Sequence, residues 1–328
     1  MTPSAHDAVG EPITSIGQVE TTRESGSHRV IGYLRANGAF LFGCTVITFW
    51  VIAALTAPLW SMFDPIVDQD LGKRLAAPDS IHWFGTDGLG RDVFARVMYG
   101  ARLTLPVALI AVTIALTIGC LLGAIAGFVG GFVDELIMRI SDLFLAFPAM
   151  VLALAIAAAL GPSSTNVVIA IVVVTWPEYT RLMRGQILSI RGNLHVLAAK
   201  SVGCSTPRIF RLHVLPFGLP PILVKATVDL GMAILLAAGL SFIGVGAAPP
   251  APEWGAMVSE AATRIDQWWL GLFPGLAILS IILAVNFIGD ALRDRFDPKM
   301  RGQRKRRSSA RQMVGRSVLP ASIRKQET

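Results

Sequence analysis

Gly85 to Asp92 reads Gly-Thr-Asp-Gly-Leu-Gly-Arg-Asp, a run whose glycines would let backbone N–H groups approach a phosphate. It lacks the Gly-Lys-Ser/Thr ending of a nucleotide-binding loop, and that ending occurs nowhere in the chain, so no ATP site is expected here. Metal chemistry fares no better. His82, His195 and His213 are dispersed, and no His-Glu-x-x-His spacing occurs. Cys44, Cys120 and Cys204 are isolated, without a Cys-x-x-Cys pair, and read as small apolar packing residues. There is no acid–base pair and no nucleophile elbow, so the expectation is no catalytic residue, no metal and no cofactor on this chain. The remaining chemistry is charge inside apolar sequence. Lys225 and Asp229 are four residues apart and share one helix face. Charges at membrane depth are costly and mark polar pathways. Asp229 is therefore a candidate to line a path through the membrane, with Lys225 near enough to the end of its run to snorkel. Asp142, Asp290 and Arg293 fall near expected helix ends and read as interhelical anchors.

The elements that must position these residues follow from composition. Of 328 residues, 53% are hydrophobic and 16% charged, against about a quarter charged in soluble domains. An all-α integral membrane protein is expected. The net charge of +7 lies in segments flanking apolar runs, as the positive-inside rule requires, so nucleic acid is not an expected partner.

In order, residues 1–37 read as a polar cytoplasmic tail without signal-peptide character. Residues 38–60 are a first span of about the 20 apolar residues a membrane requires. Residues 61–101 form an Asp-rich extracytoplasmic connection. It ends in an amphipathic helix through Arg91, Phe94, Met98 and Arg102. The main membrane domain, 102–292, follows. Its expected spans are 103–132, 136–160 (with Pro148), 166–182, 220–245 and 270–292. Gly119, Gly123, Gly127, Gly130 and Gly131 on the second span suit close packing against a neighbour, and Trp268 and Trp269 are interfacial anchors for the sixth. A basic tail, 293–328, can meet anionic membrane lipid.

Six spans put both termini on one side. The connection between spans four and five carries Arg181, Arg184, Arg191, Lys200, Arg208 and Arg211 against Glu178. The next loop carries Glu253, Glu260 and Asp266 against Arg264. Both tails and the first of these connections are thus expected in the cytoplasm.

That connection, within 191–217, has its own design. Asn193 caps a short helix, Gly203 closes it in a left-handed conformation, and Thr206-Pro207 begins a second. Pro216 is expected to break the pattern before the next run. Two short helices joined by glycine form a lever for a soluble partner; the plainer reading is an amphipathic connector on the lipid surface.

The stretch resembles the EAA loop of ABC importer membrane subunits through Ala198, Ala199, Gly203, Ile209, His213, Leu215 and Pro216. FGTDGLGRDVFARVMYGAR, GGFVDELIMRISDLFLAFPA, WPEYTRLMRGQILSIR, AGLSFIGVGAAPPAPEWGAM and GDALRDRFDPKMR resemble the C-type permease subunit of dipeptide/oligopeptide importers. The resemblance implies a six-helix type I ABC importer (MetI-like) transmembrane domain in a bacterial plasma (inner) membrane. It also implies a second homologous permease, two nucleotide-binding ATPase subunits carrying ATP and Mg, and an extracytoplasmic substrate-binding protein. ATPase docking then falls to Leu194, Leu197, Ala198, Ala199, Gly203, Arg208, Ile209, Leu215 and Pro216, and the translocation path to Asp229 and Lys225. The sequence departs from the family at Leu197, where a carboxylate is usual, at His195, where Tyr is common, and at Ala237, where relatives often carry Glu. Related importers of nickel, glutathione, opine or haem remain open as alternatives. So do an ion-gradient-driven secondary transporter and a structural or signalling membrane protein.

Overall fold

The computed structural model describes residues 38–60, 63–64 and 66–296. The N-terminal tail read at 1–37 and the basic cluster beyond Phe296 lie outside the described residues.

Helix α1, Gly38–Trp60, is apolar on every side, as a span surrounded by lipid and other helices must be. It is pinned to the last helix, α10 (Trp268–Phe296), where Trp50 Nε1 donates to Ser280 Oγ at 2.9 Å. A connection then leads to Asp92, whose carboxylate accepts from the Ala95 N–H at 2.7 Å and so starts α2, Val93–Val129. The expected amphipathic helix and second span are therefore one rod of 37 residues, about 55 Å long at 1.5 Å per residue.

Beside α2 lies α5, Ser164–Ile190. Their contact is set by the glycine stripe. A Cβ on Gly119 would stand 2.4 Å from Tyr179 Cβ, and one on Gly123 would stand 2.3 Å from the Thr180 carbonyl oxygen. Only hydrogen fits, so the backbones approach as small-residue stripes permit.

Between these two helices the structure departs from the expected third span. Residues 136–160 are not one helix: α3, Gly131–Leu145, and α4, Ala149–Leu160, meet at 86°. Pro148 is the cause. It adopts an extended conformation at the start of α4, removes a donor, and disfavours helix at the residue before it.

After α5 come α6 (Leu194–Ser201), α7 (Thr206–Ile209), α8 (Leu215–Phe242) and α9 (Trp254–Ala262). The architecture is all-α. Among the described residues four segments are long and apolar enough to cross a membrane, namely α1, α2, Thr206–Phe242 and α10, with the bent pair α3–α4 as a fifth. Six crossings would need α5 as well, which falls outside that set because its second half carries Glu178, Arg181 and Arg184. Those charges, counted above as a connection, belong to a helix.

The buried centre combines small α2 residues (Ala108, Ala111, Ala115) with Ile171, Tyr179, Met183 and Ile187 of α5, Ile234 and Leu240 of α8, and Ile281 of α10. Large apolar residues on the outer faces, such as Leu55, Leu121, Met232 and Leu279, are exposed, as lipid-facing positions are.

Candidate functional site

The connection between α5 and α8 begins at Asn193, whose carbonyl accepts from the Val196 and Leu197 N–H groups at 3.0 and 3.1 Å. Its side chain makes no capping bond. On α6, Val196 and Ala199 face inward and are buried, while Leu194 is 85% exposed and Leu197 46%. Ala198 and Lys200 share the outer face. Gly203 has φ +77°. Its N–H donates to the Lys200 carbonyl and that of Cys204 to the Ala199 carbonyl, at 3.0 and 3.1 Å. Those two bonds are a Schellman closure, which requires the left-handed residue that glycine supplies.

Past this hinge two sequence expectations are corrected. Ser205, not Thr206, is the cap residue of α7, so Pro207 sits one position further in. Ser205 makes no side-chain capping bond; the register goes with Ile209, which is buried in the core. Nor does Pro216 end the pattern. Residues Phe210–Val214 form a π turn in which the Leu215 N–H donates to the Phe210 carbonyl. The wider turn moves aside the carbonyl that a proline ring would strike, and α7 runs on into α8. Of the two short helices, only α6 stays separate from α8.

The connection is held against the bundle by specific contacts. His195 Nε2 donates to the His213 carbonyl at 3.2 Å, Arg191 to the Gly127 carbonyl at 3.4 Å, and Phe210 meets Phe128 edge-on at 5.3 Å.

Above it α5 carries a belt of charge. Arg184 grips Asp134 of α3 with two nitrogens, the longer bond being 2.7 Å, and Arg181 pairs with Asp142. Lys225 Nζ lies 2.6 Å from Glu178 Oε2 of α5 and 2.9 Å from Asp229 Oδ2 one turn along its own helix. It also lies 5.4 Å from the Tyr179 ring centroid. The pairing of Lys225 with Asp229 was legible from their spacing. Glu178 was missed, because its partner is 47 positions away; its three-residue spacing from Arg181 was the available signal.

At the far end of α2 the glycine-rich run is a closed structural cap. The Asp87 carboxylate accepts from the N–H groups of Leu89 and Arg91 and from Arg91 Nε at 2.7 Å, so these donors are spent within the protein. His82 meets Asp92 at 3.0 Å. The Gly88 N–H donates to Glu260, and Trp269 Nε1 to the Thr86 carbonyl. Glu253 caps α9 through the N–H groups of Gly255 and Ala256. Burial raises its carboxyl above the ordinary value, the bonds from Ser241, Gly255 and Ala256 opposing the shift. Asp79, by contrast, is held below its ordinary value by the N–H groups of His82 and Ile81.

Residues 115–302, more than half of the chain, match the binding-protein-dependent transport system inner membrane component family. The chain belongs to this family. It is 44% identical over 292 residues to a dipeptide transport system permease protein of Alkalihalophilus pseudofirmus, covering 89% of this chain and 96% of that one. A probable D,D-dipeptide transport system permease protein of Escherichia coli is 41% identical over 296 residues, covering 90% and 99%. A glutathione transport system permease protein of Shigella flexneri is 41% identical over 292 residues, covering 89% and 95%.

This permease therefore has its connection and its charged belt inside the family-defining region, and the cap before it. Of the nine expected docking residues, Leu194, Leu197, Ala198, Gly203, Arg208 and Pro216 are exposed, Leu215 is half-buried, and Ala199 and Ile209 are buried. The last two are placed to support the face, not to form it.

Proposed function

We propose that this permease forms half of the translocation pathway of an ATP-driven importer of di- or oligopeptides. It works with a second homologous permease, two ATPase subunits that hold ATP and Mg, and an extracytoplasmic receptor. The observation that carries the reading is the exposed outer face of α6, apolar at Leu194, Leu197 and Ala198 and flanked by Lys200, Arg208 and Arg211, on a helix closed at Gly203 and backed by buried Val196, Ala199 and Ile209. A short helix built this way transmits a push. Leu197 supplies an apolar grip where a carboxylate is usual. The substrate class rests on the relatives, whose names specify a dipeptide, a D,D-dipeptide and glutathione.

In this reading the connection, both termini and the belt end of α5 face the cytoplasm, and the cap faces outward. Closure of the ATPase subunits on ATP draws α6 inward; α7–α8 and α5 carry that displacement to the bundle. Work comes from the different affinities of the two bundle states for ATP-bound partners and for the loaded receptor. The test is reconstitution in liposomes with the ATPase subunits and receptor. Labelled dipeptide should accumulate only with ATP. Uptake that persists without ATP under an ion gradient, or permease that purifies without ATPase, rejects the proposal.

A further inference from the structure

Two arms leave the docking helix, α5 on one side and α7–α8 on the other, and among the described residues no side-chain hydrogen bond joins α5 to α8 near the loop. There the contact is apolar and lacks a side chain on one face. The Cβ position of Gly218 lies 3.7 Å from Gln186 Cβ and Ile190 Cδ1 and 3.9 Å from Met183 Cε, ordinary van der Waals distances. Such contacts are non-directional and let helices slide. The first directional bond between the arms is Lys225 to Glu178, at 2.6 Å. Glu178 stands 12 residues before the end of α5 and Lys225 10 residues after the start of α8. That is about 15–18 Å from the connection along either helix.

The bond is built to hold. Lys225, 24% exposed at its side chain, keeps its second carboxylate, Asp229 (13%), on its own helix, and its ammonium faces the Tyr179 ring of α5. Asp229 thus presets Lys225 for Glu178 across the seam. Six residues further along α5, Arg184 clamps Asp134 of α3 through two bonds. Three helices are keyed together at consecutive turns of α5.

We infer that Lys225, with Glu178 and Asp229, is a transmission key that locks α5 to α8, so that displacement of the docking helix moves both arms as one body. The inference deepens the proposed function and rests on it. Lys225 acts here as a positioning residue. It touches neither ATP nor the ATPase, and its loss should separate hydrolysis from transport.

The first test is Glu178→Ala in the assembled complex. Glu178 is half exposed, alanine favours helix, and Lys225 keeps Asp229, so no buried charge is orphaned. Basal ATP hydrolysis and assembly should be unchanged. Receptor stimulation of hydrolysis and peptide moved per ATP should fall about five-fold or more, the lower range of energetic coupling between sites.

The second test replaces the ion pair with a covalent tie. Glu178→Cys, Lys225→Cys and Asp229→Asn are combined after Cys44, Cys120 and Cys204 are changed to alanine. A short reducible bis-methanethiosulfonate linker joins the two new thiols, because a direct disulfide needs Cα atoms within about 7 Å. Linking should restore coupling, and reduction should abolish it again.

Full coupling in Glu178→Ala overturns the key. So does a linked complex that stays uncoupled, which would make Lys225 a contact for the passing substrate. Linking that blocks transport in a variant coupled before linking shows a seam that must open, and overturns it too. Receptor stimulation without peptide uptake rejects the substrate assignment alone, with the key then judged on stimulation. Failure of the ATPase subunits to associate rejects both.

Discussion

At the scale of single residues, backbone conformation decides more than side-chain volume. Gly203 has open space around its Cβ position but φ +77°, so Gly203→Val suffers no clash and fails on conformation alone, at about 1–2 kcal/mol. It should loosen the Schellman closure and reduce co-purification of the ATPase subunits, whereas Gly203→Asn, which tolerates that conformation, should retain most of it. Glu253 makes a different residue-level prediction. Its carboxyl is raised in the folded state by burial, so its protonated form favours folding. That contribution is present below the unfolded-state pKa and is lost as pH rises through the raised folded value, leaving a cost at neutral pH. Glu253→Gln keeps an acceptor for the cap. Its thermal midpoint in detergent, relative to the parent, should improve as pH is raised from acid to neutral; a pH-independent difference would contradict the assignment. The hinge was readable from sequence because glycine takes that conformation most readily. The burial of Glu253 was not, because the residues around it, among them Thr104, Val167 and Ser241, come from other helices.

At the scale of elements, the α2–α5 pairing tests whether glycine spacing encodes contact. A Cβ on Gly123 meets a backbone oxygen at 2.3 Å, whereas Gly275, also helical, has nothing within 4 Å. Gly123→Ala should therefore force the helices apart and cost about 1–3 kcal/mol, as overpacking does. Gly275→Ala should be neutral or stabilising by about 0.5–1 kcal/mol from helix propensity. Thermal midpoints of the two purified variants decide it. Residues four apart on one face announce such a stripe, which is why this contact was legible. The bend at Pro148 was only half legible: the proline was visible, but its 86° consequence depends on α3 laying Asp134 and Asp142 against the arginines of α5. The π turn at Phe210–Val214 left no mark in the sequence beyond Pro216, which was read as a break. Its register is chosen by burying Ile209 and Val214 together, a tertiary demand that no local pattern states.

At the scale of the whole molecule, α2 links the cap to the connection. Its first residues lie beside Trp254, whose Nε1 donates to the Val97 carbonyl, and its last turn meets Arg191 and Phe210. A rod of about 55 Å exceeds a hydrocarbon core of about 30 Å, so the two ends emerge on opposite membrane faces whatever the exact number of crossings. In the proposed orientation the connection, where lysine and arginine concentrate, faces the cytoplasm. In a background without Cys44, Cys120 and Cys204, Val202→Cys on the exposed end of α6 should react with an impermeant maleimide only in inverted vesicles. Ile265→Cys, exposed beyond α9 at the cap, should react only in right-side-out ones. Reaction of both from one face would break the chain from α2 length to sidedness. Exchange of the two would keep the fold and reverse the topology, placing the basic connection away from any cytoplasmic ATPase and removing the physical basis for docking at Leu194 and Leu197.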